Sequence, residues 1–481
     1  MENKIYDVCI IGGGVIGCSI ARYLSKYNGN FVVCEKHNDV GDETSNANSA
    51  IVHSGYDPKP GSLKAKFNVL GNKMMPKLCE ELEIPFKQVG SLTVALNDEE
   101  VETLKELNER AKINGVEAKL LTKEETIAIE PNINPDIKGS LLCPTAGVIS
   151  PFNLVVSLME NAMDNGASLK LNTEIVAIKK VNDLYELTTK TNEIIKAKAV
   201  INAAGVASEK VCALLEEPKF HIVPTKGEYI LLDHFNDNWI KHTLFMCPSK
   251  VGKGVLVSPT SSFNYIVGPS AEVSEETDTS CDTKTYSFLR EKAKNLVQNI
   301  PYQETIKGFA GVRANNDRND FIIEESEENK LFFNVSGIMS PGLASSPAIG
   351  EFVANDVAAK LNLTKNVNFK ATNRPHKGLH WMSSEAYDKL VKEDATFANY
   401  VCRCEKVSEG DIIDIIHRNC GATTIKGVRK RTRSGFGKCQ GTFCQTRVVN
   451  ILARELNKDP KEILFSEIGT NVLIEESKGA K

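Results

Sequence analysis

Few of the features that place a chain at a membrane or on nucleic acid occur in this sequence. No apolar run approaches the roughly 20 residues needed to span a bilayer. No charged-then-apolar leader precedes Tyr6, so no signal peptide is expected. The formal net charge is only −4, from 58 basic and 62 acidic residues, which argues against nucleic acid as the main partner. Internal repeats and low-complexity tracts are absent. What is abundant is cysteine. Thirteen of them, an odd number scattered through strand-like and helix-like stretches, do not describe a disulfide framework. Reduced thiols in a cytoplasmic protein, or in one associated peripherally with a membrane through a partner, are the expectation. With 481 residues, 41% hydrophobic and 25% charged, the chain has the composition of a globular enzyme of two or three domains.

The most informative stretch comes first. Val8, Cys9, Ile10 and Ile11 read as a buried strand of a parallel sheet and run into Gly12, Gly14 and Gly17 at GxGxxG spacing. A helical pattern follows through Ile20, Ala21 and Leu24, then a second apolar strand ends in Glu35. The acid falls about twenty residues past the glycines, as in a dinucleotide fingerprint. The first glycine permits the tight turn, the second lets a pyrophosphate approach the backbone, and the third lets helix and strand pack closely. The pyrophosphate sits at the helix N-terminus and Glu35 accepts hydrogen bonds from a ribose.

Beyond Glu35, residues 43–56 are dense in hydroxyls and amides and lead to His53 directly after Ala50, Ile51 and Val52. That composition suits a loop laid along a polar ligand. Imidazole titrates near neutrality, which makes His53 the best single candidate for a general base. Helices are expected over 64–82, 98–115, 151–166, 287–300 and 347–361, and a chain crossing between domains over 139–149. Alternating or apolar segments at 225–233, 254–259 and 263–268 suggest an antiparallel sheet inserted between halves of the nucleotide-binding domain. The strand 331–335, its glycine loop and the helix after it repeat the logic of the opening; that loop is either a cofactor contact or a plain turn. Lys253 and Arg313 are cations flanked by glycines in apolar segments and suit an anionic substrate, or are solvated loop charges. Glu228 and Tyr229 are left as packing.

A separate unit closes the chain. Cys402 and Cys404 form one close pair, and after 34 intervening residues Cys439 and Cys444 form another. Such thiolate density demands a counter-charge from a metal centre. One-residue and four-residue spacers favour a [2Fe–2S] cluster over zinc or free thiols. Cys420 is read as packing. The basic run 426–433 lies between the pairs; charge compensation of the cluster or docking of an acidic partner is favoured over nucleic acid.

The segments 43–58, 252–259, 267–271, 308–313 and 339–349 together resemble the flavin-dependent glycerol-3-phosphate oxidases and dehydrogenases of the D-amino-acid-oxidase superfamily. The C-terminal unit resembles the bacterioferritin-associated-ferredoxin-like [2Fe–2S] domain, which the short oxidases lack. The resemblance implies an α/β fold: an FAD-binding Rossmann-like domain with an inserted antiparallel-sheet substrate domain, plus a small helical C-terminal [2Fe–2S] domain. It implies oxidation of glycerol 3-phosphate, with His53 as base on the C2 hydroxyl and Ser49, Lys253, Arg313 and Ser340 around the substrate. FAD would be contacted by Gly12, Gly14, Val15, Ile16, Gly17, Glu35, Lys36, Thr44, Ser45, Ser49, Ala50 and Ile51. Further contacts would come from Val176, Gly205, Gly337, Ile338, Met339, Gly342, Leu343 and Ala344. Cys402, Cys404, Cys439 and Cys444 would hold the cluster, and electrons would leave toward a partner protein, a flavoprotein or a quinone-reducing subunit at the membrane. A second family, the L-2-hydroxyglutarate dehydrogenases, is also resembled at 53–56 and 60–65.

The expected division is an oxidoreductase domain over 1–375, a linker over 376–396, the cluster domain over 397–460 and a tail over 461–481. Nucleotide-binding parts are expected near 1–80, 146–220 and 305–365, and substrate-domain parts near 81–145 and 221–304.

Overall fold

Five strands lie side by side as a parallel sheet, in the order Ser168–Lys170, Phe31–Cys34, Ile5–Ile11, Ile194–Asn202 and Phe332–Ser336. The computed structural model describes residues 4–236, 238–248 and 254–475. Three further strands extend this sheet antiparallel: Ile175–Val181, Leu184–Thr189 and Ile322–Glu325. Its central strands are buried on both sides, which is why they read as unbroken apolar runs rather than alternating ones. Helices Val15–Leu24, Leu63–Glu81, Pro151–Asp164 and Gly342–Lys360 supply much of the apolar core with it, including Val8, Ile10, Ile20, Met75, Leu158 and Val357. Burying each such side chain contributes roughly 1.5–3 kcal/mol.

The second sheet has nine strands and is antiparallel except at one joint, where Thr243–Met246 runs parallel to Ser91–Ala95. Its longest pairing joins Ile222–Leu232 to Thr305–Asn316. Residues 305–316, expected in a nucleotide-binding part, therefore belong to this sheet. Glycines 308 and 311 disguise the strand in the sequence. A three-stranded patch of Ile51–Val52, Gly147–Ile149 and Phe86–Lys87 stitches the two halves together.

Several boundaries differ from the expectation. The last helix of the flavin half begins at Gly342, not at Pro347. Proline lacks the N–H that would bond the Leu343 carbonyl, and the Ser346 hydroxyl donates to that carbonyl instead, at 2.9 Å. The supposed linker contains the helix Ser384–Glu393, whose Tyr387 and Leu390 pack on Phe397. The supposed tail is partly built into the C-terminal unit: the amides of Ile425 and Lys426 donate to the carbonyls of Leu464 and Phe465 at 3.1 and 2.7 Å. That unit is mainly helical, with Glu409–Ile416, Ile425–Thr432 and Gln445–Leu456 around Ile412, Val428, Val449 and Leu452, and a short antiparallel pair of Tyr400–Cys402 with Val407–Ser408. No helix among the described residues is long and apolar enough to cross a membrane.

Candidate active site and thiolate centre

The GxGxxG turn is built for close approach. A Cβ on Gly17 would lie 2.0 Å from the Gly12 carbonyl oxygen, so the helix can approach the strand only with glycine there. A Cβ on Gly14 would meet only the Ser45 hydroxyl, at 3.4 Å, leaving the backbone open to a ligand. The Ser45 hydroxyl accepts the Val15 amide at 2.9 Å at the start of the helix. One cleft runs past Gly12, Glu35, Lys36, Val176 and Gly205. Glu35 is 7% exposed, and its carboxylate accepts the amides of Gly13 at 2.7 Å and His37 at 2.9 Å. Burial raises its pKa, opposed by those two amides. Its oxygens are thus held at the edge of the cleft where a ribose would be read. Glycine-lined backbone, a helix N-terminus and a buried carboxylate are the donor and acceptor set that an FAD dinucleotide requires.

A second cleft continues from Gly14, Val15, Ile16, Thr44 and Ser45. Its walls bring together Ser49, Ala50, Ile51, His53, Arg313, Ile338, Met339, Ser340, Gly342 and Leu343. The loop carrying Ser49 is tied down twice. The Thr44 hydroxyl donates to the Val312 carbonyl at 2.6 Å, and the Asn48 side chain bonds the Thr44, Ser45 and Ala50 backbone. Asn68 and Asn72, on the helix Leu63–Glu81, donate to the His53 carbonyl, fixing the position of the histidine. The His53 ring stacks on Phe245 with centroids 5.6 Å apart. Arg313 enters from the opposite sheet. Its guanidinium occupies the space left by Gly227, where a Cβ would fall 2.2 Å from Nη2, and Nη2 donates to the Ser270 carbonyl at 3.2 Å. Its ion-pairing capacity meets no carboxylate among the described residues.

Three residues expected at the cofactor line neither cleft. Gly17 faces the Gly12 turn. Gly337, at φ +59°, lies against the Asn316 amide. Ala344 is buried against Gly71 of the neighbouring helix. Lys253 lies outside the described residues. Tyr229, left as packing in the sequence, lines the cleft and stacks on Phe309 at 4.8 Å. No local feature of the sequence separates it from a tyrosine packed in a core. Glu228 is buried and accepts the Asp282 amide at 3.0 Å.

In the C-terminal unit the four expected cysteines form two pairs. Cys404 Sγ lies 3.9 Å from Cys439 Sγ, and the Cys444 thiol donates to Cys402. That bond lowers Cys402 to about 6, helped by the amides of Gly435 and Glu405. Burial opposes ionisation of Cys439, but the amides of Gly441 and Phe443 bring its pKa down. Among the described residues no group of three donors closes on one ion. Two thiol pairs, with amides aimed at the sulfurs, instead fit the four-thiolate donor set of a two-iron cluster.

Two residues of the basic run between these pairs have a role that neither charge compensation of the cluster nor partner docking describes. Lys430 and Arg431 turn inward onto the flavin domain, 2% and 5% exposed. Arg431 makes a bidentate pair with Asp39, both contacts at 2.8 Å. Lys430 reaches Asp39 and Asp42, also at 2.8 Å. Burial opposes ionisation of Asp39, but Arg431 and Lys430 hold its carboxyl well below the usual range. Cys420 accepts from Arg431 within the buried core.

Residues 7–355 match the family model described as FAD dependent oxidoreductase, and residues 400–454 match the BFD-like [2Fe-2S] binding domain. A glycerol 3-phosphate dehydrogenase of Caloramator mitchellensis is 44% identical over 98% of this chain and 99% of its own. The structure titled dithionite-reduced L-alpha-glycerophosphate oxidase from Mycoplasma pneumoniae with FAD bound is 33% identical, with a TM-score of 0.73. It covers 77% of this chain and 99% of its own. The mitochondrial L-2-hydroxyglutarate dehydrogenase of Arabidopsis thaliana is 29% identical over 73% of this chain and 83% of its own. With its dinucleotide cleft and paired thiols, the chain belongs to the FAD-dependent oxidoreductase family and carries a BFD-like [2Fe–2S] domain behind the flavin domain.

Proposed function

We propose that the protein oxidises sn-glycerol 3-phosphate to dihydroxyacetone phosphate. The observation that carries this reading is the convergence of His53, Ser49, Arg313 and Ser340 on one cleft that continues into the glycine turn. His53 takes the proton of the C2 hydroxyl as that carbon becomes a carbonyl. When bound, FAD accepts the hydride lost from C2. Arg313 offers a planar fork to the phosphate dianion. Ser49 and Ser340 hydrogen-bond the substrate and fix its orientation. The 44% identity to a glycerol 3-phosphate dehydrogenase along nearly the whole chain supports this substrate. So does the 33% identity to a structure titled as a glycerophosphate oxidase.

We further propose that the cluster on Cys402, Cys404, Cys439 and Cys444 serves one-electron transfer to a partner protein. Cys404 and Phe443 are exposed, Phe443 at 83%, which gives that partner an approach to the thiolate loop.

A second reading, oxidation of L-2-hydroxyglutarate, is favoured by the 29% identical relative of that name. It would use the same base and turn Arg313 toward a carboxylate. Anaerobic turnover with an artificial acceptor separates the two. Formation of dihydroxyacetone phosphate from glycerol 3-phosphate, without 2-oxoglutarate from the hydroxy acid, is expected. The reverse outcome replaces the first reading by the second, and no product from either sinks both.

A further inference from the structure

A cavity of about 270 Å³ lies where the C-terminal unit meets the flavin domain. It shares Ala47, Asn48 and Ala50 with the active-site cleft, so only the thickness of one loop separates the two. On its other side stand Arg433 and Phe436. The next residue, Gly437, is so close to the thiolate loop that a Cβ there would fall 2.4 Å from Cys404 Cβ. The cavity therefore stands between the two redox centres.

Its lining is charged with one sign. Lys307, Lys426, Arg429, Lys430 and Arg433 line it, and no carboxylate does. Three carboxylates sit behind the wall: Asp39 and Asp42 hold Lys430, Asp42 also reaches Lys426 at 3.3 Å, and Glu405 pairs with Arg433 at 2.8 Å. Asp39 is further shared with Arg431. Lys307 and Arg429 have no carboxylate partner among the described residues. Arg429 donates to the Gly435 carbonyl at 2.8 Å. Burial, together with repulsion from Arg429 and Lys426, pushes the Lys307 pKa down, a cost that a bound anion would relieve. The N-terminus of the helix Pro151–Asp164 opens into the same space at Ser150, Pro151 and Phe152.

The cavity is also aromatic. Phe152 and Phe436 lie 5.5 Å apart, and Phe436 carries the guanidinium groups of Arg429 and Arg433 at 5.3 and 5.4 Å from its centroid. Stacked arginine and phenylalanine planes accept a flat ring, and unpaired cations accept a phosphate. The volume falls near the lower end of small-molecule sites, about 300–1,000 Å³, which suits a mononucleotide better than a dinucleotide. We propose that this cavity is a second ligand site, separate from the FAD cleft, for a phosphate-bearing planar molecule of the mononucleotide class. Both flavin mononucleotide and an adenine nucleotide have this chemistry.

The test is calorimetric titration of the full-length protein, loaded with FAD and cluster, by flavin mononucleotide, by ADP and by inorganic phosphate in separate runs. Heat is read rather than turnover, so the outcome does not depend on which substrate the active site takes. One nucleotide should bind one-to-one and more tightly than inorganic phosphate, and the nucleotide that does so identifies the source. Lys307→Gln and Arg429→Gln should each weaken that binding about tenfold, with FAD content and spectrum unchanged. Four results overturn the proposal. They are no binding of either nucleotide, phosphate binding as tightly as both, affinity unmoved by both substitutions in protein that retains FAD, and binding competed by added FAD. An oligoglutamate peptide that binds where neither nucleotide does would assign the cavity to an acidic protein partner instead.

Discussion

Arg431 and Arg313 are cations of the same kind placed in opposite circumstances. Arg431 is buried, and both arms of its guanidinium fork close on Asp39 from the other domain. Arg313 lies in a cleft with a carbonyl at 3.2 Å and no carboxylate partner among the described residues. The first charge is spent within the protein and holds two domains together; the second remains available to a ligand. A basic residue near a glycine is thus uninformative until its counter-charges are located. Breaking a compensated pair should cost stability, and altering the uncompensated cation should cost substrate affinity.

The largest effect on this comparison is expected from Asp39→Ala, which strands the Arg431 charge in a buried interface and leaves Lys430 with Asp42 alone. A loss of about 3–5 kcal/mol is expected in denaturant unfolding, and replacing Arg431 by Met in the same chain should recover part of it. A loss below about 1 kcal/mol would mean that the interface is wet and the pair carries little. The same pair sets an acid limit. Because the folded Asp39 carboxyl is held below its unfolded value, its contribution is complete above about pH 4 and is lost as pH falls through the folded value. Asp39→Asn should therefore flatten the acid side of the stability profile and leave the region near pH 7 with a constant offset.

Arg313→Lys keeps the charge but removes the fork. An increase of about tenfold in KM, with the melting temperature unchanged, is expected from steady-state kinetics and a thermal scan. A lowered melting temperature with unchanged KM would make Arg313 structural after all and erase the contrast with Arg431. The smallest effect should come from Lys438→Ala. Its pair with Glu304 also joins the C-terminal unit to the substrate sheet, at 3.3 Å, but the lysine is 68% exposed. A change of less than about 1 kcal/mol is expected, since water screens such pairs.

The same distinction explains what could be read in advance. The glycine turn was legible because Gly12, Gly14 and Gly17 act on neighbours within one strand–turn–helix unit, where spacing alone fixes the sterics. The active-site loop was legible in part: its polar density and His53 pointed to a ligand. The hydrogen bond from Thr44 to Val312, however, spans 268 residues. The interface role of Lys430 and Arg431 was out of reach for the same reason. Arg431 and Asp39 are 392 positions apart, and nothing local to 426–433 reveals the carboxylates waiting there. Pro347 hid the true start of a helix, because a neighbouring serine supplies the hydrogen bond that proline cannot. Tyr229 escaped because an aromatic residue in an apolar strand looks the same whether its ring faces core or cleft.

The role proposed for His53, removal of the hydroxyl proton of glycerol 3-phosphate, can be tested in a single turnover. The direct measurement is anaerobic rapid mixing of wild-type protein and His53→Asn with glycerol 3-phosphate, following loss of flavin absorbance, with FAD content determined beforehand. The variant should retain its FAD and reduce it about 10²–10⁴ times more slowly. Reduction at the wild-type rate in a fully flavinated variant would contradict it.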